Sequence, residues 1–261
     1  MFFSLNESLC NKDGICAKLC PSGIIQVDEA TKYPYVNPRN EGKCIKCGQC
    51  SAFCPTCACE VQSIASERLE QNQLPTAESV NTLLRSRRSI RMFRKDLVPQ
   101  GDIESLLAVA GMAPTATNMR SISWLVISGR EQMVKIADLI VDYLETQDLS
   151  SYYKPLIKLY RNGNDVILRG ASQLIISLRP NDWPWTEDGV IALTYLEIAA
   201  HSRGIGMCWA GFFTMAARNY KPLQDYLGID GSYVCGAQMT GYPLLKTKKI
   251  PMRTPLDVKF R

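Results

Sequence analysis

Histidine is almost missing from this chain: His201 is the only one in 261 residues. No serine or cysteine motif accompanies it, so a histidine-assisted nucleophile has no support and His201 is expected to be structural. No apolar run approaches the roughly 18 residues that a membrane helix needs, which excludes a membrane span. The opening residues, MFFSLNESLC, have no basic segment before a short apolar stretch, so nothing suggests a cleaved signal and the expected location is the cytoplasm. No G-x-G-x-x-G follows an expected strand and no G-x-x-x-x-G-K-S/T occurs. A dinucleotide-binding Rossmann unit and nucleotide hydrolysis therefore lack support. Beyond Cys59 only Cys208 and Cys235 remain, both among apolar neighbours and expected to be buried fillers.

What is present is a chain with 46% hydrophobic and 21% charged residues, enough for the core of one large domain or two unequal ones. Nine of its eleven cysteines fall within the first 59 residues. In a reducing compartment such crowding points to metal ligation rather than disulfides. Cys44-Ile-Lys-Cys47-Gly-Gln-Cys50-Ser-Ala-Phe-Cys54-Pro55 is a complete C-x2-C-x2-C-x3-C-P run, the spacing that wraps thiolates around an iron-sulfur cluster. Zinc, which needs two separated cysteine pairs, gains nothing from the third cysteine or the proline. A shift of 34 residues superposes Cys10 on Cys44, Cys16 on Cys50, Cys20 on Cys54 and Pro21 on Pro55, with Asp13 opposite Cys47.

This duplication resembles the bacterial two-cluster ferredoxins over about the first 64 residues. The resemblance implies two 4Fe-4S clusters with crossed fourth ligands. One would take Cys44, Cys47, Cys50 and Cys20; the other Cys10, Cys16, Cys54 and, at its fourth iron, Asp13. A carboxylate is a harder ligand than a thiolate, so that corner is open to Asp ligation, to solvent, or to loss of the iron as a 3Fe-4S cluster. Asp13 can instead merely shape the Asp13-Gly14 turn. Cys57 and Cys59 stand where small residues are usual and are read as small buried fillers; as a replacement ligand, either would require the chain to double back from Cys54.

Residues 65–76 read as a polar linker ending near Pro75. Thr76 is placed to cap a helix bearing Val80, Leu83 and Leu84, and Asp102 one bearing Ile103, Leu106, Leu107 and Ala110. Strand-like runs follow at Ser123–Ser128, Leu174–Leu178 and Tyr233–Thr240, separated by helical stretches around Val134–Leu144 and Val190–Arg203. A sheet covered by helices is expected. Gly204-Ile-Gly206 reads as a helix stop and a turn. All of the +5 net charge belongs to this later part, since residues 1–60 hold six basic and six acidic side chains.

Arg87-Arg88-Ser89-Ile90-Arg91-Met92-Phe93 gathers three guanidiniums and a hydroxyl, a set suited to phosphate, although a solvated basic face would look the same. The run resembles the R-R-S-x-R-x-F signature of the flavin-dependent nitroreductase family. Three further blocks match it in order: Ala113-Pro114-Thr115-Ala116-Thr117-Asn118, the stretch Leu193 to Gly211, and Gly241-Tyr242-Pro243 with Arg253. The match spans about residues 77–261. Arg120 and Ile122 depart from its common residues.

The resemblance implies an α+β fold: a small ferredoxin-like iron-sulfur domain (1–64), then a nitroreductase-like domain (77–261) with a mostly antiparallel sheet flanked by helices. It implies FMN, with Arg87, Arg88, Ser89, Arg91 and Arg253 near the phosphate and ribityl chain. Thr115, Asn118 and Arg120 would touch the ring or ribityl group, and Trp209, Ala210 and Gly211 would supply backbone contacts behind the flavin. No side chain is expected to be catalytic, because the flavin carries the chemistry. It further implies a homodimer and a small organic electron acceptor, nitroaromatic- or quinone-like. Electrons would arrive through the clusters from a low-potential donor protein; flow from NAD(P)H toward the clusters, or a carrier or redox sensor without its own substrate, are the alternatives. Nucleic acid is not an expected partner, since the basic excess is accounted for by the arginines around a phosphate-bearing cofactor.

Overall fold

The computed structural model describes residues 2–261 except 63, 65, 148–151 and 255; Ala65, where the expected linker begins, lies outside the described residues. The chain divides into two compact units, residues 1–74 with 117–119, and residues 75–116 with 120–261.

The first unit repeats itself in conformation as well as in sequence. Helix α1 (Ile15–Leu19) follows Gly14 at φ 67°, and α2 (Gln49–Ala52) follows Gly48 at φ 71°, 34 residues later. Lys12 (φ 62°) and Lys46 (φ 52°) are left-handed at equivalent places. Left-handed lysine is uncommon, so its recurrence in register shows that the loop shape is specified by its surroundings. Strands β1 (Phe3–Leu5) and β4 (Cys59–Val61) pair antiparallel, Leu5 opposite Cys59, as do β2 (Ile25–Val27) and β3 (Pro34–Val36). Phe3, Ile24, Ile25 and Val61 share a small core with Cys16, Cys50 and Cys59.

In the second unit Thr76 Oγ1 accepts the Ser79 N–H and caps α3 (Ala77–Ser86). Helix α4 (Gln100–Ala110) begins two residues before Asp102, with Pro99 at its cap. Asp102 is a first-turn acid facing the positive end of the helix dipole, not the cap expected from sequence. Four antiparallel strands form a sheet in the order β5 (Ser123–Ser128), β6 (Gln173–Pro180), β8 (Ser232–Gly241), β7 (Gly206–Trp209). Period-2 alternation sends Ile175 and Met207 to one face with Leu106 of α4 and Leu193 and Leu196 of α7 (Glu187–Ser202). Leu174, Ile176 and Met239 go to the other, with Ile136 and Ile140 of α5 (Arg130–Thr146) and Phe213 of α8 (Gly211–Asn219). Most of these are fully excluded from solvent, each worth about 1.5–3 kcal/mol of burial. Helices α6 (Tyr153–Arg161) and α9 (Lys221–Leu227) complete the unit.

Two packing details shape the sheet. A Cβ at Gly189 would lie 2.4 Å from Cys235 Cβ and 2.5 Å from Ser177 Oγ, so only glycine lets α7 approach the strands there. The β6–β8 register slips between Ser177 and Leu178, leaving Cys235 as the extra residue. Arg218 seals the slip, donating from Nε to Val234 O and from Nη2 to Cys235 O, both at 2.8 Å. Among the described residues no helix is long and apolar enough to cross a membrane.

Candidate functional site

Past α3 the chain is extended and lies along the open margin of the sheet. Ile90 N–H donates to Met207 O (2.9 Å), Leu244 N–H to Met92 O (2.9 Å) and Arg94 N–H to Tyr242 O (2.8 Å). Gly206 makes room for this segment, since a Cβ there would stand 2.9 Å from both Ile90 Cγ1 and Pro243 Cγ. The backbone is thus fixed, and the arginines project from it to either side.

On one side lies a cavity of about 470 Å³ lined by Arg87, Arg88, Arg94, Lys246, Lys248 and Lys249, with Glu197 and His201 of α7. That volume is typical of a small-molecule site. Arg87 is held by Glu197 (Nη1 to Oε1, 2.8 Å), and Ser86 Oγ pairs with His201 Nε2 at 2.8 Å. Burial, and next the Arg87 charge, push the His201 imidazole below its usual range, against the opposing pull of Glu197. His201 was expected to be structural, and it tethers the last residue of α3. Arg94 is paired with Asp96 (Nη2 to Oδ2, 2.7 Å), so one face of the cavity positions arginine, while Arg88 and the three lysines make it a place for an anion.

On the other side a cavity of about 350 Å³ is lined by Arg91, Arg169, Cys208, Trp209, Gly211 and Phe212, among others. Ser89 sits against the Cys208 thiol, which burial pushes up. The Trp209 ring lies over Gly236, where a Cβ would come within 2.4 Å of Cη2. Ala210 N–H donates to Ala237 O (2.9 Å) and continues the sheet, so it is not offered to a ligand. The first turn of α8 begins just after it. Thr214 N–H to Ala210 O is its first bond, which leaves the N–H groups of Gly211 and Phe212 without intrahelical acceptors.

The expected site residues do not all meet in one chain. Thr115 and Arg120 line neither of these cavities; Thr115 Oγ1 accepts from Arg120 N–H at 3.1 Å. Asn118, in the first unit, donates from Nδ2 to Ile45 O (2.8 Å) and Lys46 O (2.9 Å). Thr117, Asn118 and Arg120 all have left-handed backbone, a costly conformation that marks a specified loop. Arg253 lies in an exposed, irregular tail. The residue that sequence reasoning missed is Asp188, 4% exposed, which accepts from Ala116 N–H (2.9 Å) and Trp183 Nε1 (3.0 Å) and anchors the start of that loop. Its acidic place in the first turn of α7 was the available signal.

In the first unit the ligand-type residues sort into two cavities. Cys20, Cys44, Cys47 and Cys50 line one; Cys10, Asp13, Cys16, Cys54 and Cys59 line the other. Backbone N–H groups point at sulfur, Lys46 to Cys44 Sγ at 3.4 Å and Ala58 to Cys54 Sγ at 3.2 Å. Among the described residues no three Cys, His, Asp or Glu side chains converge on a single metal ion. A cubane is held at separate irons by separate thiolates, so two spaced thiolate cages fit that group while a one-ion site does not. Cys16 is lowered to about 7, chiefly by its hydrogen bond with Cys59, whose own ionisation that bond and burial push up.

The profile of the nitroreductase family matches residues 84–242, more than half of the chain. A relative from Archaeoglobus fulgidus named "Putative NADH dehydrogenase/NAD(P)H nitroreductase" is 27% identical over 162 residues, covering 62% of this chain and 83% of that protein. Among solved structures, a Bacteroides fragilis nitroreductase with bound FMN superposes with a TM-score of 0.57 at 20% identity, covering 70% of this chain and all of that one. An iodotyrosine deiodinase bound to FMN and 3-iodo-L-tyrosine gives 0.56 at 19% identity, over 70% of this chain and 98% of that one. The antiparallel sheet, its helical layers and the placement of the arginine segment all lie within the matched region, and the chain belongs to the nitroreductase family of flavin-dependent oxidoreductases.

Proposed function

We propose that the chain is an FMN-dependent oxidoreductase that links two iron-sulfur clusters in its first unit to the reduction of a small organic acceptor, nitroaromatic- or quinone-like, by its second. The single observation that carries the cluster half is the sorting of the cysteines into two cavities, each mixing residues from both copies of the repeat. Support for the flavin half comes from the family membership and from FMN in relatives of the same fold. Trp209 and Gly211 would lie against the ring, and Arg91, which lines the same cavity, would meet the ribityl chain and phosphate. When bound, FMN accepts electrons one or two at a time and the clusters pass them singly, so together they match a one-electron donor to a two-electron acceptor.

The chain's own contribution is binding and orientation. Arg87, fixed by Glu197, stiffens the segment that presents Arg88 and Arg91. The Gly211 and Phe212 N–H groups offer donors to an electron-rich edge of a ligand. A homodimer is part of this reading: Val190, Ile191 and Tyr195 on α7 and Val80 and Leu84 on α3 are all at least 36% exposed, and a second copy would bring its Thr115–Arg120 loop to the cavity. The test is anaerobic purification with iron, sulfide and flavin counted per chain, followed by mixing with a nitroaromatic or a quinone. Bound clusters and flavin with reoxidation by the acceptor uphold the proposal. Clusters without flavin would reduce the chain to a carrier. Reduction of the isolated protein by NAD(P)H would set the donor as nicotinamide, in keeping with the name of the Archaeoglobus relative.

A further inference from the structure

The cavity of the Cys10 half holds one ligand-type residue more than a four-iron cluster needs: Cys10, Asp13, Cys16, Cys54 and Cys59 all line it. From sequence, Asp13 stands at the second position of its run, opposite Cys47, where the ferredoxin resemblance implies the ligand to the fourth iron, and Cys59 could serve only if the chain doubled back from Cys54. The chain does double back. Cys57 takes a left-handed conformation (φ 53°), its N–H donates to Cys54 O at 3.1 Å, and Ala58 N–H reaches Cys54 Sγ at 3.2 Å. That turn reverses the chain into β4 and delivers Cys59 to the core, 2% exposed, within hydrogen-bond reach of Cys16 and 3.0 Å from Cys50 O.

Asp13 is placed differently. It is exposed, and its Oδ1 accepts the Ile15 N–H at 2.9 Å, closing the Asp-Gly turn ahead of α1. Two physical preferences then point the same way. Iron-sulfur clusters favour soft thiolate over hard carboxylate, and a carboxylate already serving a turn in water gains less from ligation than a thiol already inside the cavity. We propose that Cys59, and not Asp13, is the fourth ligand of the cluster bound by Cys10, Cys16 and Cys54. On ligation the Cys59 S–H bond breaks, its proton leaves to solvent, and a sulfur-iron bond forms with no change in oxidation state. Cys57, exposed at the turn, takes no part.

The proposal rests on the iron-sulfur reading above, and the experiment separates the two. The full chain is loaded anaerobically with ferrous iron and sulfide as wild type and as Asp13→Ala, Cys59→Ala and Cys57→Ala. Iron and sulfide are counted per chain, and low-temperature EPR is recorded before and after reduction. Two four-iron clusters are expected in wild type, Asp13→Ala and Cys57→Ala. In Cys59→Ala one cluster loses an iron and gives the oxidised three-iron signal while the other is unchanged. The assignment is overturned if Cys59→Ala keeps both four-iron clusters, or if Asp13→Ala becomes the three-iron protein. Should Cys59→Ala lose the second cluster as well, a sign of misfolding, Asp13→Ala decides alone: two intact clusters uphold Cys59 and a missing iron refutes it. A wild type that takes up no clusters would sink the iron-sulfur reading itself, a different outcome from any of these.

Discussion

Replacing Gly236 by alanine tests how tightly Trp209 is built into the sheet. The added Cβ would lie 2.4 Å from Trp209 Cη2, 2.5 Å from Cζ2 and 3.0 Å from Leu193 Cδ1. Carbon atoms pack at about 3.5–4.0 Å, so relief requires a shift of about 1 Å or more. Leu193 is fully buried and has nowhere to go, whereas Trp209 is 39% exposed and can swing outward into the cavity it lines. Overpacking of this kind costs about 1–3 kcal/mol. For a unit of this size each kcal/mol lowers Tm by about 2–4 °C, so a drop of about 2–12 °C is expected. Calorimetry reads the drop, and tryptophan fluorescence reads the outward move as a red shift. Gly101→Ala in α4 is the matched control: nothing lies within 4 Å of its Cβ and its φ is ordinary, so it should hold or raise Tm, by up to about 1 kcal/mol of helix propensity. A Gly236→Ala protein that melts with wild type and shows unshifted fluorescence would refute the packing argument. An equal loss in Gly101→Ala would show that the clash is not the cause.

Arg218→Ala removes both donors from the β8 slip and leaves the Val234 and Cys235 carbonyls without them, at a cost of about 2–4 kcal/mol readable as a shifted urea midpoint at constant m-value. Burial, and next the Arg87 charge, lower the pKa of His201 in the fold, while in the unfolded chain it takes up a proton near its ordinary value of 6.5. The unfolded state therefore binds more protons below that pH, and stability present above pH 6.5 is lost as the pH falls toward the lowered folded value. Urea midpoints at pH 7.5 and 5.5 should diverge more in wild type than in His201→Asn, and equal divergence would count against the assignment. Arg91→Ala should weaken FMN binding about tenfold or more, given about 1.5–3 kcal/mol for a hydrogen bond to a charged group, measured by flavin fluorescence titration. A Lys135→Ala control, away from the cavity, should bind as wild type.

Much of the larger unit was legible because its elements are strongly apolar. The strands β5, β6 and β8 show as short apolar runs rich in β-formers, and the helices α5 and α7 as longer apolar stretches between them. Strand β7 escaped notice because four residues after Gly204 cannot display a period, and Gly204 itself reads as a stop. Asp102 misled because a carboxylate suits both a cap and a first turn, and only the φ and ψ of Pro99 decide between them. The cysteine runs showed a cluster-type spacing and the resemblance to two-cluster ferredoxins implied the ligand sets, yet Cys59 could not be weighed until the left-handed turn at Cys57 was known. The arginine segment was legible as a group but not in its partition. Which guanidinium is tied to an acid and which faces a cavity depends on Glu197, 110 residues away in sequence.

The segment carrying those arginines also has a consequence for solubility. Strand β7 would otherwise end the sheet with bare donors and acceptors, a surface on which a strand from another molecule could add. By laying Ile90 against Met207, the chain shields its own flank with the same stretch that carries the cations. A truncation beginning after Phe93 would therefore do more than lose guanidiniums: it would expose a template for self-association, and the shortened protein should cloud on concentration where the full chain stays clear.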